Sequence, residues 1–65
     1  MNNEEYPLPT LIRLNEVKRR TGLSRSTIYK WMNENRFPAH KRVGQKAVAW
    51  LEQDITRWID GVSRG

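Results

Sequence analysis

The sequence contains no cysteine and only one histidine among its 65 residues. Without cysteine the chain has no disulfide, no thiolate metal ligand and no thiol nucleophile. One histidine and seven scattered acidic residues do not readily build a zinc site, so we expect no metal and no other cofactor. Cysteine-free chains also suit a reducing compartment such as the cytoplasm.

Long apolar runs are absent as well. No segment approaches the roughly 20 apolar residues of a membrane-spanning helix, and the N-terminus has no apolar signal core. The chain also lacks a paired set of acids, a nucleophile next to a base, and a phosphate-binding loop. We therefore expect no membrane association, no catalytic residues and no enzymatic activity.

Positive charge is concentrated in the middle of the chain. The net charge is +5 overall, whereas residues 13–46 hold ten basic residues against two acidic ones. Such a block is the electrostatic footprint of a protein that binds nucleic-acid phosphates. A solvated basic surface without a ligand would have the same composition, so charge alone leaves both interpretations open.

Turn signals and apolar periodicity divide the chain into a tail and one domain. Residues 1–10 are polar and proline-containing and are predicted to form a flexible tail, followed by a domain over residues 11–62. A short strand is predicted at 11–14, then a helix capped by Asn15 and ending at Thr21. The last helix is predicted over about residues 52–60, with Gly61 as its stop.

The segment G-L-S-R-S-T-I-Y, residues 22–29, is typical of a helix-turn-helix. Gly22 suits the left-handed position after the first helix, and Ser24 suits the N-cap of a second helix over residues 25–35. In this motif the second helix is the recognition helix, and its first turn enters the major groove of DNA. Its apolar stripe contains Ile28, Trp31 and Met32.

A basic hairpin is predicted after the second helix. Two alternating segments, about 41–43 and 47–50, flank Gly44, and residues 35–51 contain no acid. The order strand, helix, turn, helix, hairpin, helix indicates a winged helix-turn-helix, mainly α with a small β-hairpin. Trp31, Trp50 and Trp58 fall on apolar faces and are assigned to the core rather than to base stacking.

Short motifs in a specific order resemble those of the AlpA-like prophage regulators. They are L-I-R-L-N-E-V (11–17), T-G-L-S-R-S-T-I-Y-K-W (21–31), R-F-P (36–38), R-V-G (42–44), A-V-A-W (47–50) and W-I (58–59). That family is similar in fold to the DNA-binding domains of MerR-type regulators and to phage excisionases. The resemblance implies a sequence-specific double-stranded DNA binder of a prophage or genomic island. Such proteins regulate integrase or neighbouring genes, and some are recombination directionality factors that favour excision.

Candidate DNA contacts lie in the recognition helix and in the predicted wing with its flank. An arginine can bond guanine O6 and N7 together, and hydroxyl groups suit phosphates. The recognition-helix candidates are Ser24, Arg25, Ser26, Thr27, Tyr29 and Lys30, with core packing as an equal alternative for Tyr29. The wing and flank candidates are Arg19, Arg20, Lys41, Arg42, Gln45 and Lys46. His40 is interpreted as a surface residue at the start of the hairpin.

The expected partners are double-stranded DNA, further copies of the chain on that DNA, and an integrase. MerR-type regulators carry a dimerising helix and an effector domain after the DNA-binding part, whereas only residues 61–65 follow the last predicted helix. We therefore expect no small-molecule effector and no coiled-coil dimer, and a location at the bacterial nucleoid. A small basic RNA- or protein-binding adaptor is the alternative, although RNA binders more often expose aromatic residues on a sheet.

Overall fold

A computed structural model describes residues 10–65 and shows six elements in that range. They are β1 (Leu11–Ile12), α1 (Leu14–Thr21), α2 (Arg25–Asn33), β2 (Lys41–Arg42), β3 (Val48–Leu51) and α3 (Glu52–Arg64). The fold is mainly helical with a small antiparallel sheet, which confirms the winged helix-turn-helix. Of the predicted N-terminal tail, only Thr10 lies within the described residues.

The sheet places β3 at its centre, with the strand order β1-β3-β2. Ile12 pairs with Trp50 on one side, and Lys41 pairs with Ala49 on the other. The Thr10 carbonyl accepts a hydrogen bond from the Glu52 N–H at 2.7 Å, at the start of α3. One central strand therefore connects the entry of α1, the hairpin and the last helix.

The core lies where the two helices of the turn motif meet β3 and α3. Trp50 is fully buried, and its indole N–H donates to the Pro38 carbonyl at 3.0 Å, so its predicted core position is confirmed. Trp31 and Trp58 instead lie half-buried at the edge of the core, with ring centroids 6.2 Å apart. The buried core residues are Ile12, Val17, Ile28, Phe37, Ala49, Trp50 and Ile55.

The prediction that Asn15 caps the first helix was wrong. The N-cap is Arg13, in extended backbone (φ −91°, ψ 172°), and its side chain makes no capping hydrogen bond. The pairing of β1 with β3 ends at Ile12, and the Arg13 carbonyl already accepts the first helical bond from the Val17 N–H at 3.0 Å. Tertiary strand pairing therefore sets the start of α1, against the local preference of asparagine for the cap.

Two helix ends also differ from their predictions. The recognition helix α2 stops at Asn33, because Asn35 takes a left-handed conformation (φ 60°) and the Arg36 N–H returns to the Trp31 carbonyl at 2.7 Å. Gly61 does not end α3, which continues to Arg64. Glycine costs a helix only about 1 kcal/mol relative to alanine, and Gly61 does not take the left-handed conformation that would end the helix.

Candidate nucleic-acid interface

The turn between α1 and α2 has the predicted geometry. Gly22 is left-handed, with φ 76°, and its N–H donates to the Lys18 carbonyl at 2.8 Å. The Leu23 N–H donates to Thr21 Oγ1 at 3.2 Å, while the Leu23 side chain packs against the core. These contacts fix the direction in which α2 leaves the turn.

Hydroxyl groups cluster at the start of the recognition helix. Ser24 Oγ accepts the Thr27 N–H at 3.2 Å, which confirms the predicted N-cap, and it donates to Thr27 Oγ1 at 3.0 Å. Ser26 Oγ lies 3.3 Å from Ser24 Oγ. Ser24 therefore has a structural task, whereas Arg25 and Ser26 are exposed on the first turn.

Arg25 is held over an aromatic platform. Its Cζ atom lies 4.8 Å from the centroid of the Tyr29 ring, in cation–π geometry. The Tyr29 ring in turn makes edge-to-face contacts with the rings of His40 and Trp50, at centroid distances of 5.7 Å and 6.3 Å. Tyr29 thus links the core to Arg25. His40 begins the hairpin as predicted, but its ring is half-buried in this cluster instead of being a plain surface group.

The hairpin formed by β2 and β3 is the wing, and it presents its basic residues to solvent. Its tip is closed by the Val43 N–H, which donates to the Ala47 carbonyl at 2.9 Å. The Arg42 guanidinium donates to the Gln45 carbonyl at 2.8 Å. The predicted wing contacts are all exposed, namely Lys41, Arg42, Gln45 and Lys46.

Three elements surround one shallow depression of about 390 Å³, which we call the basic depression. Its cations are Arg13 before α1, Arg25 on α2 and Lys46 on the wing, and none of its lining residues is acidic. Arg13 belongs to the basic block of the sequence, but it is not among the predicted contacts. A helix cap at Asn15 would place Arg13 in a strand, so the true N-cap position is the signal that sequence patterns lack here.

Ion pairs separate the ten cations of residues 13–46 into two sets. Within the described residues, four of them contact carboxylates, at distances from 2.6 Å (Arg19 to Glu16) to 3.9 Å (Lys30 to Glu34). The paired cations are Arg19, Arg20, Lys30 and Arg36. The other six form no ion pair in residues 10–65 and are Arg13, Lys18, Arg25, Lys41, Arg42 and Lys46.

Two of the predicted flank contacts belong to the paired set. Arg20 is half-buried and bridges Glu16 on α1 (2.7 Å) and Glu52 on α3 (2.9 Å). Hydrogen bonds from Arg19 and then Arg20 lower the pKa of Glu16 from 4.5 to about 2. The same bonds raise the pKa values of both arginines. At neutral pH these guanidinium groups therefore face carboxylates, and their DNA contact stays a prediction.

Neither a metal cluster nor a membrane-spanning helix is found in the part of the chain that the structure describes. No three histidine, aspartate or glutamate side chains of residues 10–65 lie together as a metal site. In the same range no helix combines the length and the apolar character needed to cross a bilayer.

Comparison with known proteins identifies the family. The sequence profile described as "Prophage CP4-57 regulatory protein (AlpA)" matches residues 10–62. The chain belongs to the AlpA family. It is 42% identical over 60 residues to the uncharacterized protein ORF88 of Enterobacteria phage P4, with 85% of this chain and 68% of that protein covered. It is 36% identical over 55 residues to the DNA-binding transcriptional activator AlpA of Escherichia coli strain K12, with 75% of this chain and 79% of that protein covered.

The AlpA match includes the whole candidate interface. Residues 10–62 contain the turn, the recognition helix, the wing and all six cations without ion pairs. The resemblance noted from short motifs is therefore confirmed at the level of the family. The basic depression of this AlpA family member also lies within the matched range.

Proposed function

We propose that this AlpA family member is a transcriptional regulator that binds a specific sequence in double-stranded DNA and has no enzymatic activity. The observation that carries the proposal is the placement of the unpaired cations. Arg13, Arg25 and Lys46 come from three elements and line one depression without any acid. The Escherichia coli relative is a DNA-binding transcriptional activator, which supports the same function.

In the proposed complex the recognition helix α2 lies in the major groove. Arg25 projects from its first turn, and the Tyr29 ring beneath it limits the directions that the guanidinium samples. A guanidinium so held is suited to guanine O6 and N7. Ser26 and Thr27 would then contact phosphates beside the groove, and Lys30 would join them only if it leaves Glu34.

The wing follows the DNA backbone next to the recognition helix in the same complex. Its exposed side chains, Lys41, Arg42, Gln45 and Lys46, suit phosphates or the edge of a minor groove. Arg19 and Arg20 contact DNA only if they leave Glu16, so we expect them to contribute less to DNA affinity than the wing residues.

The biological role proposed here rests on the family. The protein would act at the nucleoid in the bacterial cytoplasm, on promoters or attachment sites of a prophage or genomic island. A single small module covers little DNA, and several copies on repeated sites would increase specificity. In an excision role these copies would work beside an integrase.

Selection of binding sites from a random duplex library, followed by fluorescence anisotropy, tests the proposal. The selected duplex is compared with a scrambled duplex and with RNA of the same sequence. One bidentate arginine–guanine contact contributes about 1–3 kcal/mol of discrimination, so we expect a preference of at least about tenfold for the selected duplex. Equal affinity for both duplexes would refute sequence specificity. Tighter binding to RNA would favour an RNA-binding adaptor.

A further inference from the structure

The basic depression contains an arginine to which neither the motif nor the wing assigns a task. We propose that one DNA backbone phosphate occupies this depression and is held jointly by Arg13 and Lys46. This inference rests on the proposed function and adds a phosphate-binding residue that lies outside both the recognition helix and the wing.

The side chain of Arg13 is free to bind a ligand. Arg13 occupies the N-cap of α1, where serine, threonine, asparagine or aspartate usually bonds the helix. Its side chain makes no capping hydrogen bond and no ion pair with residues 10–65. A residue that breaks a local preference without a local gain is a common sign of a functional position.

The backbones that carry Arg13 and Lys46 are fixed relative to each other. Arg13 directly follows β1, in which Ile12 pairs with Trp50 of β3. Lys46 lies in the turn that leads into β3 and is closed by the Val43–Ala47 hydrogen bond. Both cations are therefore anchored to the same central strand, which limits the entropy lost when they converge on one anion.

The chemistry of the depression favours a phosphate on a polymer. A guanidinium and an ammonium group attract a phosphate through charge-assisted hydrogen bonds. The lining has no carboxylate to compete for them. The depression is shallow, whereas pockets for small molecules usually enclose most of the ligand. A phosphate that stays attached to a duplex suits this open shape.

The first experiment measures the salt dependence of duplex binding for charge-removing variants. Arg13→Gln and Lys46→Gln should each weaken binding to selected and scrambled duplexes by a similar factor. Because both cations contact one phosphate, the Arg13→Gln/Lys46→Gln double variant should reduce the magnitude of the log–log slope of binding constant against salt by about 0.9. Contacts to two separate phosphates would reduce it by about 1.8. The control is Arg64→Gln, which removes the same charge from an exposed pair with Asp60 and should leave the slope unchanged.

The second experiment replaces single phosphates of the duplex with neutral methylphosphonates. Several positions should weaken the wild-type complex. At one and the same position Arg13→Gln and Lys46→Gln should each be less sensitive than wild type, and the double variant should be insensitive there. Arg13→Lys keeps the charge and should keep the sensitivity. Two different positions for the two variants would overturn the shared site.

The remaining outcomes separate this inference from the proposed function. If wild-type protein binds duplex DNA but Arg13→Gln behaves like Arg64→Gln, the phosphate site is wrong and the function stands. If wild-type protein shows no salt-dependent duplex binding, the proposed function itself fails. A titration with inorganic phosphate, followed by NMR of the arginine Nε–H groups, tests whether the depression binds a free phosphate ion. Saturable binding at Arg13 without methylphosphonate sensitivity would assign the depression to a free phosphate and overturn the proposal.

Discussion

At the scale of single residues, Arg25 and Tyr29 form the part of the interface that sequence patterns describe least well. The guanidinium lies 4.8 Å from the centroid of the tyrosine ring, which is backed by His40 and Trp50. A side chain that is already oriented loses less rotamer entropy on binding. Tyr29 can therefore both pack against the core and orient Arg25 at the interface.

Replacing Arg25 tests whether it reads a base. We expect Arg25→Ala to reduce the preference for the selected duplex over the scrambled one by about 1–3 kcal/mol, because a bidentate contact to guanine is lost. Anisotropy titrations with both duplexes measure this change.

Lys46→Ala is the matched comparison, since it removes a cation from the same depression. It should weaken both complexes by a similar factor and keep their ratio, as expected of a phosphate contact. If the two variants changed the ratio equally, Arg25 would not be the base reader.

At the scale of elements, Gly22 after α1 and Gly61 within α3 have opposite roles. Gly22 is left-handed, and Gly61 lies inside α3, and a Cβ at either position would meet no atom within 4 Å. Gly22→Ala should destabilise the fold by about 1–2 kcal/mol through backbone strain alone. Gly61→Ala should stabilise it by up to about 1 kcal/mol, because alanine is the better helix former. Urea unfolding of both variants measures the change in the free energy of unfolding. A change of the same sign in both variants would contradict these opposite roles.

A second element-scale feature is the carboxylate network that joins α1 to α3. The pKa of Glu16 is lowered from 4.5 to about 2, so the ionised carboxylate stabilises the folded state. This contribution is complete above pH 4.5 and should be lost as the pH falls from 4.5 towards 2. Thermal unfolding of wild type and Glu16→Gln should therefore show a gap between midpoints at pH 7 that closes in this window.

Asp60→Asn is the control for that network, because it removes an exposed pair within one helix. Exposed pairs of this kind contribute little, so we expect almost no change in its midpoint at neutral pH. A gap for Glu16→Gln that persisted unchanged to pH 2 would show that the glutamate acts through packing and not through charge.

Local signals predicted the elements better than their ends. Gly22 lacks a Cβ and so suits a left-handed turn, and Ser24 has a hydroxyl group that can cap a helix. The structure has both features as expected. The predicted cap at Asn15 and the predicted stop at Gly61 are wrong because strand pairing and continued helical bonding decide those ends. The depression that Arg13, Arg25 and Lys46 line together is built from three separate segments, and no local pattern encodes it.

At the scale of the whole molecule, the structure reduces the charge that is available to DNA. Ten basic residues lie within residues 13–46, but four of them contact carboxylates in the described structure. Arg20 helps to hold α1 against α3, whereas the unpaired cations include all three that line the basic depression. Composition alone counts both sets equally and overstates the electrostatic contribution to binding.

The salt dependence of binding distinguishes DNA contact by the unpaired cations alone from DNA contact by all the basic residues of the block. If Arg25 reads a base, five unpaired cations remain for phosphates, or four phosphates when Arg13 and Lys46 share one. The log–log slope of the binding constant against salt should then lie between about −3.6 and −4.5, whereas adding the four paired cations as separate phosphate contacts would give about −8.1. Anisotropy titrations on one selected duplex at several salt concentrations measure the slope. The variant Arg19→Gln should leave it nearly unchanged, because that guanidinium is already bound to Glu16. A wild-type slope of about −8 would mean that the ion pairs open on DNA and that the paired cations are direct contacts.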